Sequence, residues 1–407
     1  MNRYVKRYLV DAMSGMAQGL FASLLVGTII KTLGQQLLRL GVNPVFQFLV
    51  DAGAFCSEGH VVGAAMAVGI GFAMGVHNLV LFSLVTVGAV ANTLGGAGGP
   101  LAVLIIAIAA AEVGMLVSKK TKVDILVTPI VTIITGVLLS VLFAKYIGIA
   151  ASWVGKLIMF TTELHPFVMG IFVSVLVGVA LTLPISSAAI CAAFGLTGLA
   201  GGAAVAGCCA QMVGFAIMSF RENKWGGLVS QGLGTSMLQM PNIVKNPKIW
   251  IAPTLTSAIT GPISTCIFKM TMNGAAVSSG MGTCGLVGPI GVITGWFSPS
   301  QQAVNWAIHK AEKAAAAQAA IADAAQTVEQ VAETAGEAVA STGDAVVNAA
   351  NAVAEITAES LAIHPGFWQW FGLLMVCFIL PGIICWALGL AERKLGWIKD
   401  GDLTLDA

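Results

Sequence analysis

Apolar residues run through this chain in long blocks, broken by glycine, proline and scattered polar residues. A helix needs about 20 apolar residues to cross the hydrocarbon core of a bilayer. Candidate spans or part-spans lie at 9–31, 61–77, 78–95, 100–118, 124–146, 148–162, 166–184, 187–219, 249–271, 285–297 and 367–391. Several are too short or too glycine-rich to be simple spans. The segment 36–51, LLRLGVNPVFQFLVDA, is amphipathic and suits either an interfacial helix or a plain loop with a helix cap.

The pattern changes after residue 302. Residues 303–362 are Ala-rich and acidic, and from Ala314 to Ser360 they contain no lysine or arginine. Ile321, Val328, Val331 and Val339 recur at helical spacing, as do Val346, Val353 and Ile356. Gly336 and Gly343 are expected to divide this insertion into two helices, with Ser341 or Thr342 near a cap. Its carboxylates keep it out of lipid. It reads as a solvated helical insertion, or as an arm that docks a partner. The chain thus divides into a membrane part, 1–302, the insertion, 303–362, and a final span with a tail, 363–407.

Composition agrees with this pattern. Hydrophobic residues make up 57% of the 407 residues and charged residues 10%, against about 25% charged in soluble domains. There is too little polar surface to face water on all sides, so the expectation is an all-α integral membrane protein in a lipid bilayer. The net charge of +1 gives no field for nucleic acid. The eight cysteines form no CxxC pair and read as small buried apolar residues. No metal or cofactor site is expected, and no Walker-type phosphate loop is present. Arg3, Lys6 and Arg7 precede the first span, and Arg393, Lys394 and Lys399 follow the last. By the positive-inside rule both ends are cytoplasmic and the number of crossings is even. Lys119, Lys120 and Lys122 mark another loop on that side, as do Arg221 and Lys224.

Only seven acidic residues precede residue 300: Asp11, Asp51, Glu58, Glu112, Asp124, Glu163 and Glu222. An ionisable group between apolar runs is a functional candidate. Glu163 and His165, in TTELHPFVMG, can face one cavity if Pro166 keeps the backbone extended there. A carboxylate and an imidazole together bind hydroxyls, as a sugar or other polyol requires. The plainer alternative is a pair of loop residues at the membrane surface. Glu112, in IIAIAAAEVGML, is either a transport residue or a partnered carboxylate packing helices.

Three glycine-rich stretches interrupt the apolar runs: 92–102, 230–243 and 278–291. The first and third share Thr, glycines, then Gly-Pro: Thr93 to Gly99-Pro100, and Thr283 to Gly288-Pro289. Irregular backbone at membrane depth persists only where it is buried in protein or lines a wet cavity, and transporters bind solute at such breaks. Close packing through small residues is the structural alternative.

The order of several motifs resembles the membrane subunit, EIIC, of bacterial sugar phosphotransferase systems of the glucose-type superfamily. KKTKVDILVTPIVTIITGVLLSVLFAKYIG (119–148) resembles the family's P-L-L-T-L-L-I-T-G helix, and ELHPFVMG (163–170) its Gly-x-His segment. QMPNIVKNPKIWIAPTLTSAITGPI (239–263) resembles its L-P-I-V-L-N-P run through Pro241, Asn246, Pro247, Ile251 and Pro253. The resemblance implies about ten transmembrane helices, two re-entrant hairpins and a homodimer. It implies an elevator-like movement, and a separate EIIB protein that phosphorylates the sugar at the cytoplasmic face. The family's sugar-binding His falls on His165. Its Asn-Glu-Pro glutamate falls on Thr235, where no carboxylate is near. This departure resembles a divergent branch that includes membrane regulators.

The sequence therefore predicts a permease for a sugar or related polar solute, with no covalent catalytic residue of its own. His165, Glu163, Thr235, Ser236, Gln239, Thr93 and Thr283 are its candidate solute ligands. A phosphorylation-independent transporter, and a membrane sensor that binds a partner through the acidic arm, are the other readings.

Overall fold

The computed structural model describes residues 3–332 and 356–405, with side chains reported outside 317–332. The described residues are helical apart from turns, with one isolated bridge between Gly198 and Met272. Among the described residues, five helices are long and apolar enough to cross a membrane: α1 (Arg3–Leu40), α4 (Asn78–Val117), α5 (Asp124–Thr161), α8 (Gly198–Met218) and α13 (Phe367–Lys394). A bent pair, α2 (Pro44–Cys56) and α3 (Gly59–Ala73), meets at 57° and makes six if it is one span. Shorter apolar helices are α6 (Pro166–Thr182), α7 (Ser187–Ala193), α10 (Ile251–Pro262) and α11 (Val287–Phe297). α9 (Phe220–Val229) is polar and short, and α12 (Gln301–Ala332) opens the Ala-rich insertion.

Several boundaries differ from the pattern in the sequence. The apolar runs 124–146 and 148–162 form one helix, α5, because Lys145 and Gly148 do not stop it; a π-helical segment at Ser140–Ala144 absorbs the junction. The run 187–219 is two helices, divided at Gly195 (φ +62°) and Gly198 (φ +63°), backbone conformations that favour glycine. Segment 36–51 is a hairpin between the long amphipathic end of α1 and α2. Asn43 caps α2 by accepting the Val45 amide at 2.9 Å, with Pro44 at the first helical position. The expected breaks at Gly336 and Gly343, with the cap at Ser341 or Thr342, lie outside the described residues.

The helices form two groups. α1, α3, α4 and α5 pack together, and α6, α10 and α13 pack around α8. α8 is the axis of the second group: nearly all of it is buried, whereas most of α5 is not. α5 instead turns Ile130, Ile134, Leu138, Val141 and Trp153 outward. A helix that is apolar all round is a buried or membrane helix, and in lipid the hydrophobic effect does not drive helices together. Close backbone approach does this work. A methyl on Gly207 would collide with the Ser174 backbone, one on Gly261 with the Gly170 carbonyl, and one on Gly15 with the Gly69 carbonyl. Ser174 Oγ then donates to Ser257 O at 2.7 Å across the α6–α10 contact.

The first turns of α1 and the segment that follows α13 lie at one face. Arg7 pairs with Glu112 at 2.9 Å, tying the start of α1 to the end of α4, so Glu112 is a partnered carboxylate. Arg393, at the end of α13, pairs with the buried Glu222 of α9. The two groups share one core there, through Phe215, Met237, Ile243 and Ile249. Six of the eight cysteines are buried and all eight are free thiols.

The small-residue contacts give a direct test. Gly207→Ala should cost about 1–3 kcal/mol by overpacking and lower the melting temperature in detergent. Gly226→Ala, with open space around its Cβ, should not. Equal melting of the two variants would remove close packing at α8 as the organising contact.

Candidate functional site

Chain breaks from both helix groups meet at one cavity. In α4, Gly96 adopts φ 52°, ψ −122°, which interrupts the helix before Gly99-Pro100 restarts it. Between α6 and α7 the chain turns at Leu183–Ser186. Between α9 and α10 it passes through a π segment, Ser230–Gly234, and a 3-10 turn, Ser236–Gln239. Before α11 it makes 3-10 turns at Ala276–Gly280 and Cys284–Leu286. Pro100, Ser186, Ser187, Thr235, Gly280 and Cys284, with Leu20, Leu24 and Leu25 of α1, line the cavity between them, of about 60 Å³. The α1 residues sit at a second π segment, Phe21–Leu25, a helix irregularity common at functional sites.

The breaks satisfy one another. Ser186 N donates to Ala97 O at 2.8 Å, Ser187 Oγ to Gly280 O at 2.7 Å and Ser279 Oγ to Leu196 O at 2.6 Å. Thr235 Oγ accepts the Met237 amide at 3.1 Å and shapes the 3-10 turn. Behind that turn lies a polar cluster in which Thr182, Gln211, Ser236 and Ser257 are fully buried. Thr182 Oγ is 2.8 Å from Ser236 Oγ and 3.3 Å from Gln211 Oε1. Trp250 Nε1 donates to the same Gln211 oxygen at 3.0 Å. Gln211 Nε2 reaches Thr254 and Ser257 at 3.4 and 3.5 Å. No carboxylate lines the cavity among the described residues.

Of the sequence candidates, Thr235 lines the cavity, Ser236 joins its polar backing, and Gln239 ends the same turn, where its amide donates to Gln231 Oε1 at 2.9 Å. Thr283 is buried beside Cys284, its hydroxyl 3.6 Å from Met212 Sδ. Thr93 is exposed on α4 and bonds back to Ala89 O. Glu163 and His165 lie elsewhere. They precede α6, whose far end carries Thr182, and 17 residues at 1.5 Å put the two ends about 25 Å apart. His165 is exposed and makes no side-chain hydrogen bond among the described residues. Glu163 pairs with Lys310 at 2.8 Å and Lys313 at 2.9 Å on α12, and Lys310 also donates to Thr162 O. Thr182, Gln211, Trp250, Ser186 and Ser187 are the residues that sequence reasoning missed. The polar Gln211 within the apolar run of α8 was the available signal.

A family model described as phosphotransferase system, EIIC, matches residues 10–329. The chain belongs to this family. No curated protein and no solved structure matches it. As an EIIC protein it is a membrane component of a sugar phosphotransferase-system permease, a family that works with an EIIB partner. The matched region contains every break around the cavity and ends within α12.

The Lys310 and Lys313 ammonium groups hold the Glu163 carboxyl below the ordinary glutamate value of 4.5. A depressed carboxyl contributes stability above its unfolded value, and that stability is lost as pH falls through the folded value. The α12 anchor should therefore loosen below about pH 4.5, and Glu163→Gln should loosen it at neutral pH. Hydrogen exchange of amides 301–316 reads this. Exchange in the Gln variant equal to the parent's at pH 7 would show that these ion pairs do not hold the arm.

Proposed function

We propose that this EIIC moves a sugar or related polar solute by an elevator-like displacement of the α6–α13 group against the α1–α5 group. The solute would be presented to EIIB on the face that carries the chain ends, the cytoplasmic one by their basic residues. The observation that carries this reading is the meeting of broken helices from both groups at one cavity. About ten crossings, re-entrant hairpins built on α7 and on 276–297, and a homodimer joined through outward-facing apolar residues complete the proposed assembly. The acidic insertion, 303–362, lies outside the bilayer in this reading.

A cavity of about 60 Å³ holds a few waters, since one needs roughly 10–15 Å³. It is too small for a hexose, so the described state is read as closed, and displacement of one group would open it. Thr235, Ser236, Gln239 and Thr283 then supply hydroxyls and an amide for the solute. Thr93 would join from α4, and Glu163 and His165 would meet solute only at the far end of α6. Phosphoryl transfer depends chiefly on positioning and charge stabilisation, so the task of this chain is to hold the acceptor hydroxyl in line.

The absence of a carboxylate at the cavity favours one second reading, transport without phosphorylation. Purified protein in proteoliposomes, with EIIB and its phosphate donors supplied or withheld, separates the two. Phosphorylated product appearing only with EIIB is expected. Unmodified sugar accumulating at full rate without it would overturn phosphorylation coupling. Loss of one hydrogen bond costs about 1 kcal/mol or somewhat more, so Thr235→Val should slow uptake about tenfold and Thr235→Ser should restore it. Equal uptake in both variants would remove Thr235 from the site.

A further inference from the structure

Beyond the end of α13 the chain does not trail away. Residues 397–405 fold back over the 3-10 turn that borders the cavity; a row of neutral amides holds them, and at the exposed edge Asp400 pairs with Arg393 at 3.1 Å and Arg221 at 3.8 Å. Asn223 Nδ2 donates to Leu403 O at 2.8 Å, and its Oδ1 accepts the Leu405 amide at 2.8 Å. Gln239 Nε2 donates to Leu403 O at 3.0 Å and Asn242 Nδ2 to Thr404 O at 2.8 Å. Asn246 Nδ2 donates to Trp397 O and to Asp402 Oδ2, both at 2.9 Å. Most of these bonds read the backbone of the segment, not its side chains. Ile398 and Leu403 are also buried in the core that the two helix groups share.

The segment and the cavity are stacked along α1. Thr404 and Leu405 meet Ser14, Ala17 and Gln18 across Leu238 and Pro241. The next turns of α1, at Leu20 and Leu24, line the cavity with Thr235 and Met237. Six residues separate Ser14 from Leu20, about 9 Å along a helix. The turn Ser236–Gln239 lies between the two: Ser236 belongs to the polar cluster behind the cavity, while Gln239 holds the segment.

We propose that residues 397–405 are a latch that closes the cavity from the chain-end face, and that release of this segment from its amide row frees the 236–239 turn and admits water. Neutral amide bonds are individually weaker than charged ones, so the segment can leave bond by bond while water takes up the freed amides. The neighbouring Lys399, Asp400 and Gly401 are exposed, with Gly401 at φ +96° supplying the reversal. The proposal deepens the reading of the cavity as the solute site, yet its test needs no solute.

Cys284 lines the cavity and is 2% exposed. Cys377, in α13, is fully buried in a separate core with Val205 and Met272. The full chain in nanodiscs is treated with a water-soluble maleimide, and each thiol is quantified by peptide mass spectrometry. Trypsin cleavage at Lys399 reports release of the segment. Asn223→Ala with Asn246→Ala should speed cleavage at Lys399 and raise Cys284 labelling at least tenfold, leaving Cys377 at the parent rate. Release with unchanged Cys284 labelling overturns the latch. So does equal acceleration of both thiols, which is general loosening. Where the amide variants leave Lys399 protected, Leu403→Asp replaces the buried apolar anchor. Continued protection there makes the segment a fixed part of the fold and also overturns the proposal. Uptake failing while Cys284 responds would reject the permease reading and keep the gate.

Discussion

A helix broken inside a membrane must find partners for the backbone groups it frees, because lipid offers none. In this protein the breaks find them in each other. Ser186 reaches from the α6–α7 turn to the break in α4, Ser187 to the turn before α11, and Ser279 back to Leu196. Gly198 and Met272 exchange two backbone bonds of 2.9 Å. The Ser186–Ala97 bond joins the two helix groups, and the others tie the broken segments of the second group to one another.

The same constraint explains the residue types around α8. Backbone approach as close as that of Gly207 to Ser174 needs glycine, and it places hydroxyls within reach of carbonyls on adjacent helices. Thr182, Trp250 and Ser257 then converge on Gln211, and Ser236 joins them through the Thr182 hydroxyl. One amide with two acceptor sites and two donors can serve several neighbours without carrying charge. A carboxylate at that position would be a buried ion without a counter-ion among these partners. The charged pairs lie instead at helix ends, Arg7 with Glu112 and Arg393 with Glu222.

Much of this was legible in the sequence. Long apolar runs gave the membrane class, and the glycine-rich stretches marked breaks that do line the cavity. The succession of Pro and Asn-Pro motifs pointed to the family that the chain belongs to. Span boundaries were less legible. Local composition does not show that α5 continues through Lys145, since a π segment can carry a helix past a polar junction. The pairing of Glu163 with Lys310 and Lys313 was also hidden, because it joins residues about 150 positions apart. Thr182 and Gln211 are single polar residues on apolar helices, and only packing brings them into one cluster.

The Asn-Pro run acquires a physical meaning that its resemblance alone did not supply. Asn246 begins a 3-10 turn by accepting the Lys248 amide through Oδ1 at 3.3 Å. Its Nδ2 is thereby left to donate to Trp397 O and Asp402. Pro247 follows at the first position of that turn, where a missing N–H costs nothing. Asparagine is well suited to this because its amide both accepts and donates; aspartate could hold the turn but not the carbonyl. The motif therefore fixes the start of α10 and the end of the chain in one contact, next to the turn that borders the cavity.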